Sequence, residues 1–339
     1  MSESPTVVLV VDLGKTSCRV SYRVSGVPTG ESEPRVETGP GTPGLAEPDG
    51  AAAAVAAIDA PVRRLWSGGA PPPGLDDRVA ADATTLLAVG AAGALAAPTA
   101  AAELAAGLLG AWPELAVRSA AVTSDALTAH LGALAGAAGV VLVAGTGATA
   151  VGVGTAGSVA VSGGWGPVLG DEGSGGWIGA AGLRAALRDL DGRGPRTGLR
   201  AAAEAMFGAL QQLPRAVSDD GAPARATARF AGTVDDAAAQ GDRVAADIID
   251  HAAGELAAAA AAAAERVGAD ADHPLDVSVV GGLVGLPTLA AGLRRRLAAE
   301  GSALRQVASA GSALDGAALL MARGPALPHE PHVHRAGVS

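Results

Sequence analysis

The sequence predicts an α/β protein of two related halves, and three observations carry that prediction. Short aliphatic runs end in glycine-containing turns at 12–16, 145–147 and 281–282. The first two turns lead into segments of alternating polarity, Ser17–Val24 and Ala148–Val153, which read as the return strands of hairpins. Alanine-rich stretches of helical spacing separate these runs, and 339 residues suffice for two domains. Two such halves facing each other across a cleft account for the repetition.

The elements follow in order. Val7–Val11 is a continuous β-branched run ending at Asp12, the mark of a strand buried on both faces. Pro28–Gly50 is rich in Gly and Pro and reads as loop with one short strand. Ala51–Trp66 is helical, Gly68–Gly74 a proline-rich loop, Thr85–Val89 a strand ending at Gly90, and Thr99–Leu109 a helix. Val117–Val122 is a strand, followed by a helix from Asp125 to Ala135. Val140–Ala144 ends in Gly145-Thr146-Gly147, and Ala148–Val153 pairs with Ser158–Val161 as a hairpin. Helices dominate from Gly173 to Gly268, with breaks near Asp191–Pro195 and Leu213–Ala224. Asp276–Val280 is a strand ending in Gly281-Gly282; Leu286–Ala299 and Leu314–Met321 are the last helices. His329, His332 and His334 lie beyond them, where Pro328 and Pro331 prevent helical spacing, so a disordered tail is expected rather than a metal site.

Composition excludes several classes. Net charge is −10 and the basic residues are scattered arginines, so no stripe suits nucleic acid. Residues Leu131 to Gly170 carry no charge, but repeated glycines and alternation point to a buried sheet rather than a membrane span. Hydrophobic residues make up 49% but aromatics only 2%, which predicts an aliphatic core with few large anchors. The single cysteine, Cys18, excludes an internal disulfide. With no basic n-region near Glu3, it predicts a cytoplasmic protein.

Two familiar phosphate motifs fail their context. Gly14-Lys15-Thr16 suggests a P-loop, but Leu9 stands where that motif needs its first glycine, and a strand follows instead of a helix. Gly145-Thr146-Gly147-Ala148-Thr149-Ala150 fits the dinucleotide fingerprint of a nicotinamide-dependent oxidoreductase. That fingerprint must open a helix, whereas a β-like segment follows here. Asp125 stands where a helix begins and reads as its N-cap.

The stretch Gly163–Gly179, GGWGPVLGDEGSGGWIG, concentrates two of the four tryptophans and the acidic pair Asp171-Glu172 among glycines. It resembles the sugar-binding loop of N-acetylglucosamine kinases and of the related BadF/BadG/BcrA/BcrD-type ATPases, in the sugar kinase, actin and heat-shock chaperone superfamily. Asp12-x-Gly14-x-Thr16 resembles the first phosphate motif of that superfamily, GTG its second, and DVSVVGG its adenosine motif. Asp191–Pro195 resembles the loop after the sugar segment. The likeness spans nearly the whole chain.

The resemblance implies two RNase H-like (actin-like ATPase) domains flanking a cleft. The first would cover 1–121 and regain helix 312–326; the second would cover 122–311, with 327–339 a disordered tail. It implies an ATP-dependent kinase acting on the 6-hydroxyl of an amino sugar, foremost N-acetylglucosamine, with glucosamine, N-acetylmuramic acid or a non-sugar ATPase activity as alternatives. It assigns Asp125 as base and Asp12 as the residue engaging Mg²⁺. Gly14, Lys15, Thr16, Gly145, Thr146, Gly147, Gly281 and Gly282 would bind nucleotide. Gly164, Trp165, Asp171, Glu172 and Ser174 would bind sugar, and domain closure would exclude water. The expected partners are a small sugar and ATP, with no nucleic acid or membrane; a homodimer is compatible with this reading. The chain departs from the family at Leu13 and Lys15, where glycines are common, and at Ala148, where serine follows GTG. Gly176 stands where an aromatic residue often precedes the Trp. No asparagine occurs in Gly39–Gly44, where the family usually supplies one to the sugar.

Overall fold

The computed structural model describes residues 6–25, 35–66, 83–219, 221–270, 272–299 and 303–337. The proline-rich loop expected at 68–74 lies outside them. The chain divides into two units, Met1–Ala137 with Ala310–Ser339, and Ala138–Ser309.

The first unit contains strands β1 (Thr6–Leu13), β2 (Ser17–Ser25), β3 (Glu37–Pro40), β4 (Thr84–Ala91) and β5 (Val117–Thr123). Its helices are α1 (Gly50–Leu65), α2 (Pro98–Leu108) and α3 (Asp125–Ala133). The returning C-terminal residues add helix α11 (Ala313–Arg323) and strand β11 (His334–Gly337). The sheet runs β11-β5-β4-β1-β2-β3. β1 pairs antiparallel with β2 and parallel with β4, so it lies inside the sheet. That position explains its unbroken aliphatic sequence: Leu9, Val10 and Val11 are all fully buried. Leu9 and Val11 face a core with Ile58 of α1 and Leu104 of α2. Val10 faces the opposite layer with Leu131 of α3 and Leu314, Ala317 and Leu320 of α11.

The second unit repeats this plan. Its strands are β6 (Gly139–Ala144), β7 (Ala148–Val153), β8 (Val159–Gly163), β9 (Leu275–Val280) and β10 (Leu304–Val307), in the order β10-β9-β6-β7-β8. In both units three antiparallel strands meander, and two further strands join the first of them in parallel. The helices are α4 (Gly175–Leu190), α5 (Leu199–Phe207), α6 (Leu213–Ser218), α7 (Pro223–Ala228), α8 (Ala231–Ala239), α9 (Arg243–Arg266) and α10 (Pro287–Leu297). The alanine run of α9 allows a close approach to the sheet: a Cβ on Gly152 of β7 would lie 2.7 Å from the Ala263 carbonyl oxygen.

Three expectations need correction. The first unit runs to Ala137 rather than 121, because β5 pairs in parallel with β4 and α3 packs on the same sheet. Asp125 therefore belongs to the first unit. The residues expected to be a disordered tail instead form β11, which pairs antiparallel with β5 from His334↔Val122 to Gly337↔Ser119. The expected break at Leu213–Ala224 contains α6 and the start of α7, both with proline in the first turn.

Candidate active site

In the first unit the candidate residues gather at the C-terminal ends of β1, β4 and β5. Three backbone bonds tie the neighbouring loops together. Thr42 N–H donates to Gly14 O (3.2 Å), Ala92 N–H to Leu13 O (2.8 Å) and Leu45 N–H to Ala92 O (2.9 Å). Gly41 is required at this junction, since a Cβ there would lie 2.3 Å from Gly14 O. Gly90 is required likewise: its Cβ would lie 2.0 Å from Thr128 Oγ1 of α3. Gly14 closes the β1–β2 turn by donating to Ser17 O (2.9 Å), while Lys15 and Thr16 are exposed at its tip.

Asp12 ends β1 opposite Arg19 of β2, and Arg19 Nε and Nη2 both donate to Asp12 Oδ2. Oδ1 stays uncommitted. Asp125 is not the cap of α3; Ser124 is, its Oγ accepting the Leu127 N–H (3.1 Å). Asp125 is the first helical residue, and its Oδ1 accepts the Ala126 N–H (2.9 Å). Burial pushes the Asp125 carboxyl up to about 6. The Ala126 N–H opposes that rise, the charge on Asp12 adds to it, and Lys15 lowers it. Asp125 therefore lies within the fields of Asp12 and Lys15. Arg19, Ser124, Gly41 and Gly90 were not legible as site residues, because each acts through a pairing distant in sequence or through local capping.

In the second unit the GTG turn and the glycine-rich loop form one hydrogen-bonded piece. Gly145 N–H donates to Gly147 O (2.9 Å), Gly175 N–H to Gly145 O (2.8 Å), and Gly176 N–H to Thr146 O (3.0 Å). The Asp171 carboxylate lies over Gly147, where a Cβ would be 2.8 Å from Oδ2. Asp171 itself takes a left-handed backbone, φ 58°, which acidic and amide side chains tolerate better than others. Trp165 is 78% exposed, and Gly170 lets the chain fold back against its Cβ. Gly164 is left-handed and Glu172 is exposed. Ser174 has a different place from the one expected: it is buried, and its Oγ caps α4 by accepting the Trp177 N–H (3.1 Å).

Gly281 ends β9 with φ 107°, and a Cβ there would lie 2.4 Å from Ala144 O. Gly282 opens onto free space. A recess lined by Ala144, Val279, Leu283 and Leu293, together with Arg294 and Gln306, lies beside this pair. Among the described residues no group of three or more His, Cys, Asp or Glu could hold a metal ion, and no helix is long and apolar enough to cross a membrane.

The signature of the BadF/BadG/BcrA/BcrD ATPase family matches residues 82–320. A segment of 76 residues is 42% identical to the N-acetylmuramic acid/N-acetylglucosamine kinase of Clostridium acetobutylicum, covering 22% of this chain and 25% of that protein. Another likeness, 49% over 61 residues, is to the N-acetyl-D-glucosamine kinase of Dictyostelium discoideum, covering 18% of this chain and 19% of that protein. The chain thus matches a quarter or less of the length of these curated relatives. A Chromobacterium violaceum structure, provisionally described as an N-acetylglucosamine kinase, superposes with a TM-score of 0.67 at 26% identity, over 93% of this chain and 99% of that one. A ROK family glucokinase from Streptomyces griseus, in complex with glucose and AMPPNP, has a TM-score of 0.52 at 18% identity, over 94% and 100%. That likeness concerns the fold, the actin-like ATPase arrangement of two α/β units.

Proposed function

The chain belongs to the BadF/BadG/BcrA/BcrD ATPase family, and from that premise we propose that it is an ATP-dependent kinase of the 6-hydroxyl of an amino sugar, foremost N-acetylglucosamine. The carrying observation is the bonding of the Gly163–Gly179 loop to the GTG turn through Gly175 and Gly176. Candidate sugar groups and candidate phosphate donors thereby belong to one rigid piece of the second unit. The named activities of the two curated relatives and of the Chromobacterium violaceum protein support the same substrate class.

Phosphoryl transfer needs positioning, neutralised charge and a proton acceptor. Backbone N–H groups of Lys15, Thr16, Thr146 and Gly147 offer donors to phosphate oxygens, and Lys15 adds a positive charge. The recess beside Gly281-Gly282 suits the flat base of the nucleotide. Asp171 accepts hydrogen bonds from sugar hydroxyls, and Trp165 offers an apolar face to the ring or its N-acyl group. Asp125 takes the proton of the attacking hydroxyl, a task matched to a carboxyl held near neutral pH. With no metal cage among the described residues, the protein offers Mg²⁺ one carboxylate, Asp12. That fits an ion held mostly by phosphates and water, which would neutralise charge on the phosphates when bound. A cytoplasmic location is part of the same proposal, in keeping with the single cysteine of the sequence.

A non-sugar ATPase of the same family is the competing reading. Coupled detection of ADP with and without a panel of hexoses separates the two. Sugar-dependent ADP release supports the kinase; sugar-independent release at the same rate sinks it.

A further inference from the structure

The C-terminal segment holds groups the mechanism leaves unused. His329 and His130 are both fully buried, and their rings meet through His329 Nε2 and His130 Nδ1 at 2.8 Å. His329 Nδ1 is buried with no hydrogen-bond partner. His130 lies on α3, five residues after Asp125. The rest of the segment grips the same corner. Thr123 Oγ1 donates to His332 O (2.8 Å), Ser119 Oγ donates to Ala336 O (3.2 Å), and β11 pairs with β5 along Ser119–Val122. Arg335 bridges to Glu330 and donates to Leu320 O of α11 (3.1 Å). The segment is therefore a strap, and four of its attachments fall on β5 and α3, the elements that flank Asp125.

A buried imidazole pair has one stable way to bond: one ring donates an N–H and the other accepts it. A further proton leaves a cation beside an apolar layer that includes Leu131, Leu314 and Leu327. We propose that His329 is a positioning residue, whose bond to His130 holds the β5–α3 corner, and with it Asp125, in place. The proposal rests on the reading of Asp125 as base.

The charges around the pair agree. Burial pushes His329 down to about 3, and His130 of α3 and His332 of the strap act in the same direction. Of the other charged or titratable groups on these elements, Glu330 pairs with Arg335, Asp315 of α11 pairs with Arg23 of β2, Arg323 of α11 donates to Ala135 O, Arg118 of β5 is exposed, His334 belongs to β11, and Asp125 begins α3. A folded value below the ordinary 6.5 fixes the sign. The stability contributed by the pair is complete above about 6.5 and is lost progressively as pH falls toward about 3.

Two variants test the assignment. His329→Gln keeps a donor and an acceptor but cannot ionise, whereas His329→Phe keeps the apolar bulk and loses the bond. kcat, KM for ATP and melting temperature are measured from pH 5 to 8, with hydrogen exchange over 119–133 and 138–309. His329→Phe should lose about tenfold in kcat at pH 7.5 with KM for ATP unchanged, since small displacements of a reacting group are costly. Its exchange should quicken in 119–133 and not in 138–309. His329→Gln should keep kcat and melt less steeply on acidification than wild type. Wild-type kcat in His329→Phe overturns the proposal, as does a kcat loss that only follows the folded fraction. A wild-type protein that phosphorylates no sugar would instead overturn the function proposed above.

Discussion

Asp125 shows how a residue's role depends on its neighbour. The sequence allowed it to be a helix cap or a base, but Ser124 takes the capping bond, so Asp125 has no capping task to lose. Asp125→Asn should therefore leave folding intact and lower turnover by about 10²–10⁴, the usual range for losing a general base. The pH dependence has two signs. Activity should fall as pH drops below about 6, because the protonated carboxyl cannot accept the hydroxyl proton. Stability runs the other way. A folded value raised from 3.8 to about 6 contributes stability fully present below 3.8 and lost as pH rises through 6. The charged form then costs on the order of 3 kcal/mol at pH 8. An acid in the first turn of a helix returns only about 0.3–1 kcal/mol. Thermal melts should thus show Asp125→Asn matching or exceeding wild type at pH 8, with the advantage vanishing near pH 4. Asp171 calls for a different substitution, since its left-handed backbone would strain alanine. Asp171→Asn tolerates that conformation and loses the charge-assisted bonds, each worth about 1.5–3 kcal/mol. KM for sugar should rise about tenfold or more while KM for ATP stays put; a change confined to ATP would reassign the loop to the nucleotide.

At the scale of elements, Asp125, the proposed base, is carried on a helix whose packing depends on glycine. A Cβ on Gly132 of α3 would lie 1.8 Å from Ser312 O, and one on Gly316 of α11 would lie 1.9 Å from Thr128 O. Both clashes are with backbone, which cannot turn aside, so α3 and α11 must separate to admit a methyl group. Gly316→Ala should cost about 1–3 kcal/mol in urea unfolding, the usual penalty of overpacking. A wild-type midpoint would show that the helices can shift freely. These glycines were invisible in sequence, since their partners lie far away along the chain. Periodicity did reveal the strands β1, β5, β6 and β9, because aliphatic residues fill most positions of these buried parallel or central strands. β10 and β11 escaped notice: they are short, edge-placed and partly polar, as in Leu304-Arg305-Gln306-Val307 and His334-Arg335-Ala336-Gly337. Proline between the C-terminal histidines argued against a helix, and that was sound, but absence of helix was not absence of structure.

At the scale of the whole molecule, each unit places a glycine turn between its first two strands and a glycine at the end of its fourth, Gly90 and Gly281. The repetition was legible because each of these turns closes a short aliphatic run, although of their glycines only Gly281 takes a positive φ. The pairing of Asp12 with Arg19 and the tie of Gly175 and Gly176 to the GTG turn were not legible, since they depend on register and loop closure. The account stands on transfer of phosphate to a sugar hydroxyl. It is tested by incubating the protein with ATP, Mg²⁺ and an equimolar mixture of N-acetylglucosamine, glucosamine and N-acetylmuramic acid, then identifying products by mass spectrometry and phosphorus NMR. The account predicts a hexosamine 6-phosphate formed one-for-one with ADP, N-acetylglucosamine 6-phosphate foremost. ADP accumulating with inorganic phosphate and no sugar phosphate would contradict it.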